Sequence, residues 1–151
     1  AAVDVWGWAQ AVGLADTTIR WMSEDCLTFV EREVKRGNKY DALIFDPPAF
    51  GRGGKGKTSK AWKLDKDLPK LLKLFPELLS DQAAFVVLSC HDPKWSSKRL
   101  AEALRAALPP AAGAAHHIDH GPMMIEASCE GGRPLPMGVF ARWRSPALRQ
   151  D

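Results

Sequence analysis

A short apolar run that ends in a carboxylate and two prolines constrains the fold more than any other feature of the sequence. Residues 42–45 read Ala-Leu-Ile-Phe, without a polar position. An unbroken run of this kind is typical of a strand buried on both faces of a parallel sheet. Asp46, Pro47 and Pro48 follow at once, and the prolines end the strand because they have no N–H to donate. Residues 83–88 form a second run of the same kind.

Capped helices are expected on either side of these runs. Asp25 can cap a helix that stops at Gly37, and Ser96 or Ser97 can cap one that stops before residue 109. These signals place a helix before the first apolar run and another after the second.

A third helix is expected over residues 68–79, where apolar side chains recur at helical spacing. Pro69 is acceptable if it lies in the first turn of this helix. Pro76 should kink or shorten it, because proline removes a hydrogen bond and clashes with the preceding turn.

The remaining segments complete an alternating order of strands and helices. A helix is expected over residues 6–14, a strand over 18–22, and hairpin strands over 123–127 and 137–143, joined by residues 131–134. Alternation that closes with a hairpin predicts a three-layer α/β sandwich with a mostly parallel sheet. The length of 151 residues fits one domain, 1–151.

Polar residues are expected where the predicted strands end. They are Asp4, Asp25, Asp46 and Cys90. Ligands of open α/β sheets bind at the carboxyl ends of the strands, so this edge is the candidate site. A helix cap would explain Asp25 equally well. Asp46 favours a functional role, because it directly follows a buried run that has no local need for charge.

Positive charge is concentrated in one segment. The chain has a net charge of +3, but residues 47–73 contain eight basic and two acidic residues. A block of this kind attracts phosphate or nucleic acid, and a solvated loop and helix face explains it equally well. The basic residues are Arg52, Lys55, Lys57, Lys60, Lys63, Lys66, Lys70 and Lys73.

Composition excludes several classes of protein. The longest clean apolar run, residues 83–88, is far too short to span a membrane, and no signal segment opens the printed sequence. Cys26, Cys90 and Cys129 are widely separated, which argues against a disulfide framework or a paired-cysteine metal site. A cytoplasmic protein without a membrane partner is expected.

Two further motifs have weaker interpretations. The segment Gly51–Thr58 fits the phosphate-loop pattern G-x-x-x-x-G-K-[ST], so a nucleotide-binding protein is an alternative. Prolines separate this segment from the preceding strand, and a flexible basic loop explains the same residues. His116, His117 and His120 are close in sequence, but a surface cluster is favoured over a ligand set, and no metal is expected.

The segment around the two prolines resembles a known family. Residues 40–53, Y-D-A-L-I-F-D-P-P-A-F-G-R-G, are similar to the Y-D-x-I-x-x-D-P-P-x-F-x-R stretch of class I S-adenosylmethionine-dependent methyltransferases. More narrowly, they resemble the bacterial family that includes the large-subunit ribosomal RNA cytosine-C5 methyltransferases. The resemblance implies a Rossmann-like fold, S-adenosylmethionine as the cofactor and a base of RNA, most often ribosomal RNA, as the substrate.

The resemblance also implies residue roles. Asp4 would hold the ribose of the cofactor, Asp25 and the backbone at Cys26 would meet the adenine, and Asp46 with Pro47 would face the methyl donor and the target base. Pro48 and Phe50 would contact the base, since an aromatic ring can stack on it. The basic loop would bind the RNA backbone through Arg52, Lys55 and Lys57.

Cys90 would serve as a nucleophile if the product is 5-methylcytosine. A thiolate attacks C6 of the ring, so that C5 becomes nucleophilic toward the methyl group. The simpler explanation is a small buried apolar residue, which is the usual role of a free cysteine.

Members of the family carry a first strand and a glycine-rich turn before the strand that corresponds to Val3 and Asp4. Neither is found in residues 1–151, so the chain alone is expected to bind the cofactor poorly. An inactive remnant that only binds RNA, through residues 52–73, is a further alternative.

Overall fold

The computed structural model describes residues 18–51, 61–108, 117–129 and 131–146. The helices are α1 Cys26–Arg36, α2 Leu64–Leu72, α3 Phe75–Leu78 and α4 Ser97–Ala107. The strands are β1 Ala42–Phe45, β2 Phe50–Gly51, β3 Trp62–Lys63, β4 Phe85–Cys90, β5 Ile118–Ile125 and β6 Leu135–Arg144.

Four strands form the main sheet, in the order β1-β4-β6-β5. Both apolar runs form strands of this sheet, as predicted, although β4 is Phe85–Cys90 and not residues 83–88. The two strands pair in parallel, with Ala42 opposite Phe85 and Phe45 opposite Leu88. β6 is antiparallel to both β4 and β5, which confirms the predicted hairpin. The described sheet therefore has one parallel and two antiparallel pairs, while β2 and β3 form a separate two-stranded ribbon.

The core lies where helices cover the sheet. α4 packs on β4, β5 and β6, and its buried Leu100 and Leu104 belong to the same hydrophobic core as Val86 and Leu88 of β4. The end of β1 is fixed by a ring contact between Phe45 and Phe75, whose centroids are 4.8 Å apart. Burial of this apolar surface supplies the main stabilisation of the elements that carry the strand ends.

The predicted helix caps are confirmed. Asp25 accepts a hydrogen bond from the backbone N–H of Thr28, and Gly37 ends α1 with a φ of 69°. Ser96 accepts one from the backbone N–H of Arg99 at the start of α4. These caps satisfy backbone groups that a helix end leaves without a partner.

The predicted strand over residues 18–22 is wrong. This segment has no strand partner in the described part of the chain, and Trp21 and Met22 are exposed. Its β-branched and aromatic residues favour extended backbone, but a strand forms only when a neighbour pairs with it. The predicted helix over residues 6–14 and the strand end at Val3 and Asp4 lie outside the described residues.

The expected helix over residues 68–79 is two helices. It begins earlier, at Leu64, so Pro69 is inside α2 rather than in its first turn, and that prediction is wrong. α2 ends at Leu72, and Pro76 lies in the first turn of the short α3, so its shortening effect is confirmed. The division follows because Pro76 has no N–H to continue α2.

The hairpin strands differ from their expected bounds. β5 begins at Ile118, five residues before the predicted start, and it contains Pro122. Proline is tolerated there because β5 is the edge strand of the described sheet, with β6 as its neighbour. The residues between the strands, 126–134, are more numerous than the four predicted.

No helix in the described ranges is long and apolar enough to cross a membrane. Among the same residues, no group of three or more His, Cys, Asp or Glu side chains is placed to hold a metal ion.

Candidate functional site

The parallel pairing of β1 and β4 brings Asp46 and His91 together at one edge of the sheet. Because Phe45 is opposite Leu88, the residues that follow β1 lie beside the end of β4. The Asp46 Oδ1 atom accepts a hydrogen bond from the Ser89 hydroxyl and lies 3.0 Å from His91 Nε2. A carboxylate that aligns an imidazole is an arrangement suited to proton transfer.

His91 was not predicted as a site residue. The sequence contains it in the succession Ser89-Cys90-His91-Asp92, which is not a catalytic triad, because triad members meet in space rather than along the chain. The signal that could have found it is the one that singled out Asp46. Asp46 directly follows one strand that is expected to be buried and parallel, and His91 is next to Cys90, which is expected at the end of the other. Both residues therefore belong at the same sheet edge.

A cavity of about 460 Å³ opens beside Asp46. Its walls bring together four residues that were predicted for cofactor or substrate binding: Cys26, Asp46, Pro47 and Pro48. Most of the remaining wall is apolar, including Phe29 of α1. The volume and the single carboxylate at its edge are typical of a small-molecule site. We call it the Asp46 cavity.

A second cavity, of about 500 Å³, lies beside His91. Its walls come from residues after β4 and from the start of β6, including Asp92, Trp95 and the segment 136–139. Asp46 lines the first cavity and His91 the second, so their hydrogen-bonded pair lies between the two. We call the second space the His91 cavity.

Asp25 caps α1 with the carboxylate oxygen Oδ1, which accepts from the backbone N–H and the hydroxyl of Thr28 at 2.9 Å each. The residue follows an unpaired segment and not a strand, so its expected place at a strand end is wrong. Cys26, the first residue of α1, lies in the wall of the Asp46 cavity.

The segment after Asp46 is held by β3. The Trp62 indole N–H donates to the carbonyl oxygen of Pro48 at 2.8 Å, and the backbone N–H of Leu64 donates to Ala49 at 3.1 Å. Phe50 pairs with Lys63 in the ribbon and is 79% exposed. Trp62 is therefore a positioning residue that the sequence did not reveal.

Several predicted binding residues lie outside the described residues: Asp4, Arg52, Lys55 and Lys57. β2 ends just before, and β3 begins just after, the basic segment that contains the last three. Lys66, Lys70 and Lys73 of the same basic block are exposed on or beside α2. Lys70 pairs with Asp67 at 2.6 Å.

The Cys90 side chain is buried, with no exposed surface. Desolvation raises the pKa of its thiol, so the neutral form is favoured. A nucleophile must be a thiolate that reaches the substrate. The nucleophilic role of Cys90 therefore stays a prediction against which its burial and raised pKa both argue.

A buried carboxylate joins α1 to β1. Glu33 accepts hydrogen bonds from the hydroxyl of Tyr40 and the amide of Asn38, and these bonds lower its pKa to about 2. Burial, and then the bond to Glu33, raise the pKa of Tyr40 to about 12. α1 begins at Cys26, and β1 leads to Asp46. The hydrogen bond between Glu33 and Tyr40 therefore helps to set the distance between two walls of the Asp46 cavity.

The two weaker motifs are also placed. A phosphate loop needs a helix that opens at its Lys-Thr and continues, whereas residues 61–63 are extended and α2 begins at Leu64. Of the clustered histidines, His117 contacts Asp119 and His120 contacts Ser97, while His116 is outside the described residues.

Two solved structures share this fold. The SAM-dependent methyltransferase from Agrobacterium tumefaciens matches 95% of this chain at 32% sequence identity, with a TM-score of 0.76. SMU.776, described as a candidate methyltransferase and solved in complex with SAH, matches 91% of the chain at 15% identity, with a TM-score of 0.61. The chain spans 47% and 34% of the lengths of these proteins. No protein-family model and no curated protein matches it.

The neighbours thus support a Rossmann-like α/β fold of the class I methyltransferase type. The identity of 32% to the Agrobacterium protein extends along nearly all of this chain, and less than half of that protein is covered.

Proposed function

We propose that this chain is the catalytic domain of a methyltransferase that uses S-adenosylmethionine and acts on a base of RNA. The observation that carries the proposal is that Asp46, which directly follows β1, lines a cavity of about 460 Å³. The likeness to two methyltransferases, one of them holding SAH, supports both the reaction and the cofactor.

The residues around the Asp46 cavity fit the cofactor. Apolar walls such as Phe29 and Val30 suit the adenosine, and the Asp46 carboxylate suits the positive sulfonium. When bound, the cofactor supplies an electrophilic methyl group. Cys26, Asp46 and Pro47 would contact it, and Asp4 and Asp25 are proposed for its ribose and adenine.

Three features support RNA as the substrate. The Phe50 ring is exposed beside the site, which suits stacking on an unpaired base. Pro48 holds that segment beside Trp62, and exposed lysines of α2 continue the positive block begun by Arg52, Lys55 and Lys57. Ribosomal RNA and cytosine C5 are the finer form of the proposal, by resemblance of residues 40–53.

Replacement of Asp46 tests the proposal. The full-length protein is incubated with radiolabelled S-adenosylmethionine and with ribosomal RNA from cells that lack its gene. Asp46→Asn should keep the fold and lose about 100-fold or more of the transfer rate, because the carboxylate that orients the reacting groups is gone. Asp81→Asn, in an exposed turn before β4, is the matched control and should transfer at the normal rate.

The destination of the label decides the substrate. Label in RNA, recovered as 5-methylcytidine, supports the finer proposal, whereas label in protein or in a small molecule contradicts the RNA part. Undiminished transfer by Asp46→Asn contradicts the site.

The covalent route through Cys90 has its own test. RNA that contains 5-fluorocytosine traps a thiol adduct if Cys90 attacks the ring, because the fluorine cannot leave as a proton does. A trapped complex that Cys90→Ala abolishes would support this route, and no complex with an active wild-type protein would contradict it.

A further inference from the structure

We propose that His91 is the proton acceptor of the methyl transfer and that Asp46 holds its ring for this role. This inference rests on the proposed function and adds a catalytic residue to it. The observation that carries it is the contact of 3.0 Å between His91 Nε2 and Asp46 Oδ1 at the junction of two cavities.

The contact determines which ring nitrogen is free. An ionised carboxylate only accepts hydrogen bonds, and it already accepts one from Ser89. Nε2 must therefore carry the proton in the pair, which leaves the lone pair of a neutral ring on Nδ1. His91 lines the His91 cavity and keeps 43% of its side chain exposed, so a substrate in that cavity can reach the ring.

The backbone that carries His91 is held closely by β6. Gly138 has a φ of 120°, and a Cβ there would lie 2.3 Å from the carbonyl oxygen of Cys90 and 3.2 Å from the His91 Cα. The two backbones therefore touch where His91 leaves β4. This close contact holds the Cα of His91 in place, and the hydrogen bond to Asp46 holds the ring through Nε2.

Several charged groups lie around the His91 ring. Asp46 faces it from β1, and Asp92 lines the same cavity, with its carboxylate bonded to the backbone N–H of Lys94 at 2.9 Å. On α4, Arg99 is engaged with Asp65 at 3.1 Å. The segment 136–139 of β6 adds no ionisable side chain. Asp46 is the one of these groups that contacts the ring itself.

The chemistry balances with the proposed cofactor. As an electron pair of the target base forms the new bond to the methyl carbon, the methyl–sulfur bond breaks and its electrons remain on sulfur, which becomes a thioether. His91 Nδ1 takes the proton that the methylated atom of the base releases. The Nε2–H bond to Asp46 remains intact, and the imidazolium later gives its proton to solvent. If the methylated atom is a nitrogen of the base, this role needs no thiolate at Cys90. If it is C5 of cytosine, a thiolate first adds to C6 to supply the electron pair, and that bond breaks when C5 gives its proton to His91.

Replacement of His91 in the full-length protein tests the role. His91→Asn should lower the rate of a single turnover by about 100-fold or more, with the affinity for S-adenosylmethionine unchanged. His117→Asn is the matched control, because His117 is also paired with an aspartate, Asp119, at 2.8 Å. It should leave the rate unchanged.

Chemical rescue separates a catalytic role from a structural one. Added imidazole should restore part of the rate to His91→Ala and none to Asp46→Asn, since only the first variant lacks the base. In the wild-type protein, ¹⁵N shifts of His91 should report the Nε2–H tautomer, and Asp46→Asn should lose that preference.

The outcomes distinguish the two proposals. An active wild-type protein whose His91→Asn variant transfers methyl equally fast contradicts the role of His91 alone. Loss of activity without imidazole rescue, together with weakened cofactor binding, also overturns it. A wild-type protein that transfers no methyl group contradicts the proposed function, and the role of His91 with it.

Discussion

At the scale of single residues, the site depends on short distances between side chains and between the backbones of neighbouring strands. The Asp46 oxygen is shared by Ser89 and His91, and the backbone of β6 touches the residue that precedes His91. Such contacts tolerate little displacement, because a shift of about 1 Å can cost about 100-fold in rate. At Gly138, the approach of β6 to β4 leaves no room for a side chain.

Substitution of Gly138 should therefore affect both stability and activity. Gly138→Ala places a methyl group against the Cys90 carbonyl at a φ that alanine rarely adopts. We expect a loss of about 1–3 kcal/mol in the free energy of unfolding, measured in urea, and slower methyl transfer. Gly37→Ala is the control, because its φ is also positive but nothing lies within 4 Å. Equal stability losses with normal transfer in both variants would show that close approach at position 138 is unimportant.

At the scale of elements, the spacing of α1 from β1 sets the width of the Asp46 cavity. Cys26 begins α1 and Asp46 follows β1, and the pair Glu33 and Tyr40 connects the two elements. The tie uses a buried ionised carboxylate, so its strength depends on pH.

Acid should weaken this tie over a defined range. The pKa of Glu33 falls from 4.5 to about 2 in the folded protein, so the unfolded chain binds the proton first as the pH drops. Its stabilising contribution is full above about pH 4.5 and is lost as the pH falls toward 2. The urea midpoint, measured against pH, should decline over this range and decline less in Glu33→Gln.

Glu31→Gln, on the exposed side of the same helix, is the control and should keep the wild-type slope. If the urea midpoint of Glu33→Gln falls with pH as steeply as that of the wild type, the acid sensitivity comes from other groups.

At the scale of the whole molecule, local sequence patterns predicted the central helices and strands. They failed where a strand forms only if a neighbouring strand pairs with it. The apolar runs of β1 and β4, the caps at Asp25 and Ser96 and the final hairpin follow from short stretches of sequence. Residues 18–22 have strand-forming side chains, yet no described strand pairs with them. Propensity cannot supply the missing neighbour.

The same distinction applies to the site. Asp46, Pro47 and Pro48 are readable because one segment contains the whole motif. His91 and Trp62 become visible only when β1 lies beside β4 and β3 lies beside β2, since their partners are far away in sequence. Cys90 is the opposite case: its position in the sequence suggests a catalytic role, but its side chain is buried in the core.

Binding of the cofactor is the most direct test of the central claim that the Asp46 cavity serves methyl transfer. Calorimetry on the full-length protein would compare S-adenosylmethionine and its demethylated product with ATP–Mg²⁺, in the wild type and in Asp46→Asn. We predict that the wild type binds the first two ligands and not ATP–Mg²⁺, and that Asp46→Asn binds the sulfonium form more weakly. Binding of ATP–Mg²⁺ without S-adenosylmethionine, or salt-sensitive RNA binding with neither ligand bound, would contradict the account.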